Sequence, residues 1–440
     1  MRRGSLSFSK RWFHIERQLW SDSPLIRSNP LMEHDTGEME RHWLKEAATN
    51  PTSRFCIWHR GKLAVSVSNQ AAQQLTWTEP DFLQQLANST PSIVPYEFNP
   101  LTANIDTTLL LLGKVKDDHD LSLVDVKDSN LLESNTWRFA LDLSAMEEEV
   151  LLELLKNHST TSSSRLVAPR ALMGSMTHDP GSMAVAGMTA ARMAWHNEIK
   201  YCRRSGNRTV PTGGGHRRLD PLESNHRLGI SYPRTDPVAI MLVENTTGDR
   251  CLLGRTARRK NTNMYTCLAG FIEQAESVED AVRREVMEES GVVISNYEDV
   301  RLVGSQPWPI GSAGHSELML GCIARASNDT ITINKDEMDD IRWFTRKEAT
   351  ELLNRSKEEN ASGDATKDLI VPPPYAIAHH LIKAWVETTV PEDGEKVIPH
   401  VADVHDGGMN IVDKMNWNVV AISVGVGALF GAIMMKMSSL

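Results

Sequence analysis

Residues 270–292 read GFIEQAESVEDAVRREVMEESGV, and this stretch decides the fold. From Ser277 to about Glu289 it contains good helix formers and apolar residues at helical spacing, with no proline and no internal glycine. These features predict a single helix. Gly291 follows it directly, at the position where a residue in the left-handed conformation commonly ends a helix.

Three carboxylates converge on one face of the predicted helix. Glu285, Glu288 and Glu289 are related by steps of three and four residues, which places their side chains next to one another. Like charges so close repel unless a cation neutralises them, and Mg²⁺ held by carboxylates and substrate phosphates is the usual arrangement. The alternative is a solvated helix face, which is what most glutamate clusters are. A pattern of seven fixed positions favours the metal site: Gly270, Glu276, Arg284, Glu285, Glu288, Glu289 and Gly291.

The composition is that of a globular protein with two or three domains. The chain has 440 residues, of which 40% are hydrophobic and 24% are charged. Its formal net charge of −10 argues against a surface built to hold nucleic acid nonspecifically, so no stable nucleic-acid partner is expected. The five cysteines form no CxxC pair, and we interpret them as buried free thiols: Cys56, Cys202, Cys251, Cys267 and Cys322.

The two ends of the chain differ from its middle. Residues 1–20 are basic and contain several serines, which suits either a mitochondrial presequence or a disordered basic arm. Residues 419–435 carry no charge and would rise roughly 25 Å as a helix, so 417–436 is predicted to be a transmembrane tail anchor. The alternative is a buried core helix. Residues 438–440 loosely resemble a peroxisomal address, so the organelle stays open between peroxisome and mitochondrion, with the catalytic domain facing the cytosol.

The rest of the chain is predicted to alternate between strands and helices. Short alternating runs between residues 55 and 143 favour a mainly β domain. A helix over 145–157, a flexible run over 159–165 and a helix over 173–196 are expected to follow. A turn at 247–249 predicts a hairpin. The later strands are expected at 237–244, 250–255, 300–303, 318–324 and 341–344, and a last helix near 375–386.

The seven-position pattern resembles the signature of the Nudix hydrolases, Gly-x5-Glu-x7-Arg-Glu-U-x-Glu-Glu-x-Gly-U, in which U is apolar. Val286 and Val292 occupy both U positions. Downstream, residues 305–309 read SQPWP and resemble the signature of the NADH pyrophosphatases within that family. Two prolines around the tryptophan predict a stiff extended loop that can present an aromatic ring, and the alternative is a structural loop whose tryptophan fills the core. The resemblance spans about residues 165–386 and implies a Nudix α/β/α sandwich, Mg²⁺ or Mn²⁺ as the cofactor, and a homodimer.

The resemblance also implies roles for individual residues. Arg284 would hold a carboxylate by a bidentate ion pair, and Glu288 would complete the metal site or position the attacking water. The expected metal ligands are the Ala269 carbonyl and the carboxylates of Glu285, Glu288, Glu289 and Glu337. The expected catalytic residues are Arg284, Glu285, Glu288 and Glu289. The expected substrate-binding residues are Phe271 and Trp308, which would stack on a base, together with Gln306, Pro307, Pro309, Ser312 and Ala378.

Two departures from the family pattern stand out. Ile310 and Gly311 replace an expected Phe-Pro step, and the loop over residues 312–317 is longer than in the family, which puts base specificity in doubt. The family also carries a four-cysteine zinc ribbon, of which only Cys202 is present here. Zinc is therefore not expected, because one thiolate cannot hold the tetrahedral ion. The other three positions hold Ser205, Ser224 and Arg227, and the nearby His216 and His226 are expected to be solvated.

These observations together predict a metal-dependent hydrolase. The expected reaction is hydrolysis of the diphosphate of NADH or NAD⁺, which gives nicotinamide mononucleotide and AMP. The alternatives are removal of an NAD cap from RNA and a membrane-tethered protein that binds a dinucleotide without cleaving it. The predicted layout is an N-terminal extension (1–54), a mainly β domain (55–164), a helix with a degenerate zinc ribbon (165–233), the Nudix domain (234–388), a linker (389–416) and the anchor (417–436).

Overall fold

The computed structural model describes residues 25–26, 37–67, 73–89, 109–115, 137–158, 163–172, 180–223, 226–311, 315–362 and 368–387. The chain divides into two compact units, Met1–Val404 and His405–Leu440, and all the described residues belong to the first. None of the described helices is long and apolar enough to cross a membrane. The predicted anchor at 417–436, the linker at 389–416 and the basic segment at 1–20 lie outside the described residues.

The first half of the described chain forms an eight-stranded sheet. Its central strands run in the order β1-β6-β7-β2-β3-β4, with β5 on β2 and β8 on β3. Only the β2–β7 pair is parallel among the pairings described in this sheet. The strands are β1 (Leu25–Ile26), β2 (Arg54–His59), β3 (Lys62–Val67), β4 (Gln73–Leu75), β5 (Trp77–Thr78), β6 (Leu109–Val115), β7 (Trp137–Asp142) and β8 (Ser163–Val167). The helices of this half are α1 (Gly37–Thr49), α2 (Pro80–Ser89) and α3 (Glu148–His158).

Three sequence predictions need correction in this half. No helix was predicted in the N-terminal extension, because residues 1–54 show no clear periodicity, but α1 buries Leu44, Ala47 and Ala48 against the sheet. Helix α3 begins at Glu148, not at 145, because the chain first turns. The run at 159–165 was predicted to be flexible, yet its last residues belong to β8, which pairs antiparallel with β3. Backbone pairing there outweighs the polar composition, because tertiary context overrides local preference in strands.

A small three-stranded sheet follows where the zinc ribbon is expected. It consists of β9 (Val210–Thr212), β10 (Arg217–Leu219) and β11 (Ile230–Ser231), preceded by α4 (Pro169–Leu172) and α5 (Pro180–Glu198) and joined by α6 (His226–Gly229). Helix α5 is described from Pro180, and residues 173–179 of the predicted helix lie outside the described part.

Hydrogen bonds on one carboxylate connect the Ser205 turn to the end of β10. Asp220 accepts from the Ser205 hydroxyl at 2.5 Å, from the Asn207 amide at 3.1 Å and from the Leu222 backbone at 2.9 Å. His216 is not simply solvated as expected, because it is half-buried and lies 3.1 Å from the Leu111 carbonyl. Ser224 lies outside the described residues, so the expected absence of zinc stays a prediction.

The second half forms a six-stranded mixed sheet between two helical layers. Its order is β15-β16-β12-β13-β17, with β14 on β12, and β12 and β16 run parallel. The strands are β12 (Thr235–Glu244), β13 (Arg250–Thr256), β14 (Leu268–Phe271), β15 (Val300–Trp308), β16 (Ser316–Arg325) and β17 (Met338–Thr345). The helices are α7 (Val278–Ser290), α8 (Arg346–Ser362) and α9 (Ile377–Glu387). The hairpin predicted at 247–249 is confirmed by the antiparallel pairing of β12 and β13.

Alternate residues of β12 separate the two faces of this sheet. Ala239 and Met241 pack with α7, whereas Ile240 and Leu242 pack with α8 and α9. This alternation follows from the two-residue period of a strand. A helix on one face and two on the other confirm the predicted α/β/α sandwich, although α8 was not predicted.

The Pro-Trp segment belongs to a strand and not to a loop. Strand β15 continues through Gln306, Pro307 and Trp308, which lie opposite Met319, Leu318 and Glu317 of β16. A proline is tolerated here because β15 is an edge strand, where one N–H can be spared. The interpretation of this run as an extended loop was therefore wrong.

Candidate active site

Helix α7 has the predicted ends and the predicted buried face. The Ser277 hydroxyl accepts a hydrogen bond from the Asp280 backbone N–H at 3.1 Å, which caps its first turn. Gly291 ends the helix with φ of 70°, in the left-handed conformation. Ala281, Val282 and Val286 are fully buried against the sheet, so the opposite side of the helix carries the glutamates. The helix prediction is confirmed.

The structure brings four predicted carboxylates within electrostatic reach of one another. Burial raises the pKa of Glu289 to about 8, and the charges of Glu285 and Glu337 add to this. Burial also raises the pKa of Glu285, and Arg284 partly offsets the effect. Glu288 is exposed and contributes less. The electrostatic cost of ionising these carboxylates therefore falls chiefly on Glu289.

Glu289 has an oxygen that the protein leaves without a partner. Its Oε2 atom is buried and makes no hydrogen bond, although a backbone hydrogen bond from Ala269 reaches the same carboxylate. Buried polar atoms are nearly always satisfied, so an unsatisfied one calls for an explanation. Its neighbours are hard oxygen donors, the class of ligand that Mg²⁺ prefers. These residues fit a divalent cation by donor type and by this unpaired oxygen.

Arg284 connects the carboxylates to one another. Its Nε and Nη2 atoms pair with the two oxygens of Glu276 at 2.7 and 2.9 Å, which is the bidentate pairing expected for this residue. Its Nη1 atom also lies 2.7 Å from Glu285 and 3.0 Å from Glu288. The Glu276 pKa is lowered chiefly by the hydrogen bond from Arg284. Among the residues described, no group of three or more His, Cys, Asp or Glu is arranged so that it could hold a metal ion, so the metal site stays a prediction.

Gly270 leaves the space that the Glu285 carboxylate occupies. A Cβ atom at this position would lie 1.9 Å from Cδ of Glu285 and 2.1 Å from its Oε1. Such separations are impossible, so any side chain at residue 270 would displace the carboxylate. The glycine of the signature is thus explained by a close approach between β14 and α7.

A separate cavity of about 410 Å³ lies on the α9 face of the sheet. Of the predicted substrate residues, Gln306, Trp308 and Ala378 line it. Gln306 also holds the start of α9, because its Oε1 accepts from the Ile377 N–H at 2.9 Å. Its Nε2 donates to the Tyr375 carbonyl at 2.8 Å.

The other predicted substrate residues lie elsewhere. Phe271 is half-exposed beside Arg284, which donates to its carbonyl at 2.9 Å, and it does not line the cavity. Pro307 and Pro309 are also absent from the lining, and Ser312 lies outside the described residues. Sequence reasoning missed Arg170 and Tyr375, which do line it. Arg170 lies on α4, one hundred positions before the first residue of the signature, and no local pattern could have indicated it.

Comparison with known proteins identifies the class. A model of the NUDIX domain matches residues 233–368. Mouse NAD(P)H pyrophosphatase NUDT13, mitochondrial, is 33% identical over 287 residues, which cover 63% of this chain and 76% of the mouse protein. Human NAD-capped RNA hydrolase NUDT12 is 44% identical over 206 residues, which cover 46% of this chain and 41% of the human protein. NAD-capped RNA hydrolase NudC of Mycobacterium bovis is 32% identical over 214 residues, which cover 48% of this chain and 63% of that protein.

The chain belongs to the NADH pyrophosphatase family of the Nudix hydrolases. It spans less than half the length of human NUDT12.

Proposed function

We propose that the chain hydrolyses the diphosphate of NADH or NAD⁺ with the help of Mg²⁺ or Mn²⁺, and releases nicotinamide mononucleotide and AMP. The observation that carries this proposal is the buried, unpartnered oxygen of Glu289 beside Glu285 and Glu337. Names of the relatives support the substrate, since the mouse protein is called an NAD(P)H pyrophosphatase.

The chain's own residues supply position and proton transfer. Glu285, Glu289, Glu337 and the Ala269 carbonyl would hold the cation, which supplies the positive charge that a departing phosphate needs. Arg284 fixes Glu285 and Glu288 on the same side of α7. Either Glu288 or Glu289 takes the proton of the attacking water, because both carboxylates belong to the cluster. The water attacks one phosphorus in line with the leaving phosphate.

The cavity on the α9 face suits one base of the dinucleotide. Its volume of about 410 Å³ lies within the usual range for small-molecule pockets. Trp308 and Tyr375 line it and can stack on a flat ring, while Ile240 and Met319 add apolar surface. Ile310 and Gly311 stand where the family has a Phe-Pro step, and Trp308 and Tyr375 still supply two aromatic rings to the cavity.

The direct test is the identity of the products. Purified chain with Mg²⁺ or Mn²⁺ is incubated with NADH, NAD⁺, NADPH or ADP-ribose, and the products are separated by chromatography. We expect equimolar AMP and reduced nicotinamide mononucleotide from NADH. A folded protein that releases no AMP from NADH, NAD⁺ or ADP-ribose would contradict the proposal. The alternative of a protein that binds a dinucleotide without cleaving it would then be favoured.

A second candidate is removal of an NAD cap from RNA, which the human and mycobacterial relatives are named for. A basic turn over residues 255–260 favours it. Arg255 of this turn forms an ion pair with Asp339 at 2.6 Å, whereas Arg258, Arg259 and Lys260 are exposed. The net charge of −10 disfavours it. Turnover of free NAD⁺ and NAD-capped RNA at two salt concentrations separates the candidates, since only a long polyanion gives a steep salt dependence.

Membrane attachment through residues 417–436 and homodimer formation belong to the same proposal. Their support is the uncharged run at 419–435 and the family resemblance. Extraction of membranes with alkaline carbonate tests the anchor, because a spanning protein stays in the pellet. Sedimentation of the detergent-purified chain tests the dimer. The organelle, peroxisome or mitochondrion, is tested by imaging the full chain.

A further inference from the structure

We propose that Arg259 and Arg170 form a subsite for a third phosphate, carried on the ribose of a nucleotide whose base occupies the cavity on the α9 face. This inference rests on the proposed function, because it assumes that the substrate is a dinucleotide. It assigns a substrate-selecting role to two arginines that lie outside the signature and outside the carboxylate cluster.

The two arginines approach the same cavity from different parts of the chain. Arg170 belongs to α4, and Arg259 ends the 3-10 turn Ala257–Arg259 that follows β13. Both line the cavity. Both positive charges also act on the half-buried phenol of Tyr375. Burial raises the pKa of this phenol, and the two charges only partly offset the rise. Two cations therefore face one aromatic wall of a mainly apolar pocket.

Neither arginine pairs with a carboxylate among the described residues. Arg170 donates to the Ile310 carbonyl at 2.8 Å, and Arg259 contacts only the Met264 sulfur, a weak acceptor, at 3.5 Å, apart from backbone bonds of its turn. The arginines nearer the carboxylate helix and β17 are matched with acids. They are Arg255 with Asp339, Arg284 with Glu276 and Arg342 with Asp340. Arg259 and Arg170 thus keep guanidinium groups available for an anion.

The turn that carries Arg259 contacts both the cavity and a residue of the carboxylate cluster. The Ala257 backbone N–H donates to the Glu337 carbonyl at 2.8 Å, which ties the turn to an expected metal ligand. Ile240, which lines the cavity, pairs in the sheet with Ala269, another expected ligand. A nucleotide with its base in the cavity and its diphosphate at the carboxylates would therefore place its ribose beside this turn.

A phosphate on that ribose is the group that the two arginines suit. The carboxylates and the cation that they would hold bind the diphosphate. The charge of a further phosphate on the ribose needs other partners. Guanidinium groups bind phosphate through paired, charge-assisted hydrogen bonds. Two dinucleotides carry a phosphate on the adenosine: NADPH has a 2′ monoester with up to two negative charges, and NAD-capped RNA has a 3′ diester with one. Both offer anionic phosphoryl oxygens to the guanidinium groups, and the monoester offers the larger charge.

The test compares NADPH with NADH, which differ only by the 2′-phosphate. For Arg259→Gln we expect the ratio of kcat/KM for NADPH to that for NADH to fall about tenfold, the usual effect of one charge-assisted hydrogen-bonding group. Arg170→Gln should lower the same ratio. Arg258→Gln is the matched control, because it removes the same charge one position away and Arg258 does not line the cavity. Its ratio should equal that of the wild type.

Two further arms make the outcome decisive. A short NAD-capped RNA replaces NADPH in one arm, and a fall for only one of the two substrates assigns the subsite to the 2′ or the 3′ position. In the other arm, calorimetry compares binding of adenosine 2′,5′-bisphosphate and AMP without any turnover. An unchanged selectivity ratio in Arg259→Gln for both substrates, or an equal fall in Arg258→Gln, overturns the subsite. Absence of all wild-type turnover contradicts the proposed function instead, and calorimetry still decides whether Arg259 selects the extra phosphate.

Discussion

Glu289→Gln is expected to lower kcat for NADH hydrolysis by about 10³-fold. The substitution keeps the size of the side chain but removes the charge on the oxygen that the protein leaves unpaired. A glutamine cannot neutralise a hard divalent cation, and it cannot accept a proton from water. Loss of a positioned proton-transfer group alone typically costs about 10²–10⁴-fold. The measurement is the steady-state rate of AMP release with saturating Mg²⁺.

The matched control is Glu279→Gln, in the first turn of the same helix. It removes the same charge, but Glu279 is not part of the carboxylate cluster. Its rate should stay within about twofold of the wild type, as expected for a surface change away from the site. Equal losses in both variants would mean that the helix, and not the cluster, had been disturbed.

Gly270→Ala is expected to lower kcat/KM by about 100-fold while the fold is kept. The three heavy atoms nearest to the added Cβ all belong to the end of the Glu285 side chain, which can swing away at little cost in stability. The carboxylate then leaves its place beside Glu289. A misplacement of about 1 Å in a catalytic arrangement can cost about 10²-fold. Circular dichroism checks the fold, and the rate of AMP release checks the site.

A double-mutant cycle decides whether the glycine acts through Glu285. If Gly270→Ala works by displacing that carboxylate, the double variant with Glu285→Gln should be no slower than Glu285→Gln alone. Contacting groups that act as one unit give such strongly non-additive effects. Additive losses would show instead that the new methyl group disturbs another part of the site, such as the backbone of Ala269.

The catalytic helix could be predicted because its information is local. The start at Ser277, the glycine at 291 and the apolar spacing all lie within one short stretch, and the helix that they predict is confirmed. The same locality predicted that Glu285, Glu288 and Glu289 lie on one face of the helix, whereas Glu337 was expected only from the family resemblance. The reason for Gly270 was not available from the sequence, because it depends on the distance between β14 and α7.

Long-range packing explains the predictions that failed. The proline in SQPWP suggested a loop. In the structure, ten residues of β16 pair in parallel with β12, and β15 pairs with the other side of β16 as the edge strand of the sheet. The highly charged sequence of α8 hid the three apolar residues that pack on the sheet, Ala349, Leu352 and Leu353. The cavity combines α4, the turn after β13 and the start of α9, and no single motif contains them. The domain boundaries themselves stay predictions.

The retained zinc-ribbon segment shows a related limit. Loss of three of the four cysteine positions predicted that no zinc binds, and this stays a prediction. In the described residues, Asp220 accepts from Ser205 and Asn207, and these hydrogen bonds lower its pKa. A carboxylate thus connects two parts of this segment. Such contacts between residues far apart in sequence cannot be inferred from the missing cysteines alone.

A divalent-cation site at these carboxylates is tested most directly by the thermal stability of wild type and Glu289→Gln, measured with and without Mg²⁺ from pH 5 to pH 8. Burial raises the folded-state pKa of Glu289 from 4.5 to about 8. The folded state therefore favours the protonated form of Glu289. The contribution of this group to the free energy of unfolding is fully present below pH 4.5 and is lost as the pH rises towards 8. At 1.36 kcal/mol for each pH unit, ionisation costs on the order of 4 kcal/mol by pH 8.

Without Mg²⁺, the wild type should lose stability relative to Glu289→Gln as the pH rises, because only the wild type must bury a new charge. Mg²⁺ at about 100 times its Kd should add about 2.7 kcal/mol, or about 5–10 °C in Tm, to the wild type at pH 8. It should add almost nothing to Glu289→Gln. Equal effects of Mg²⁺ on both proteins, or none on the wild type at saturating concentration, would contradict a divalent-cation site at these carboxylates.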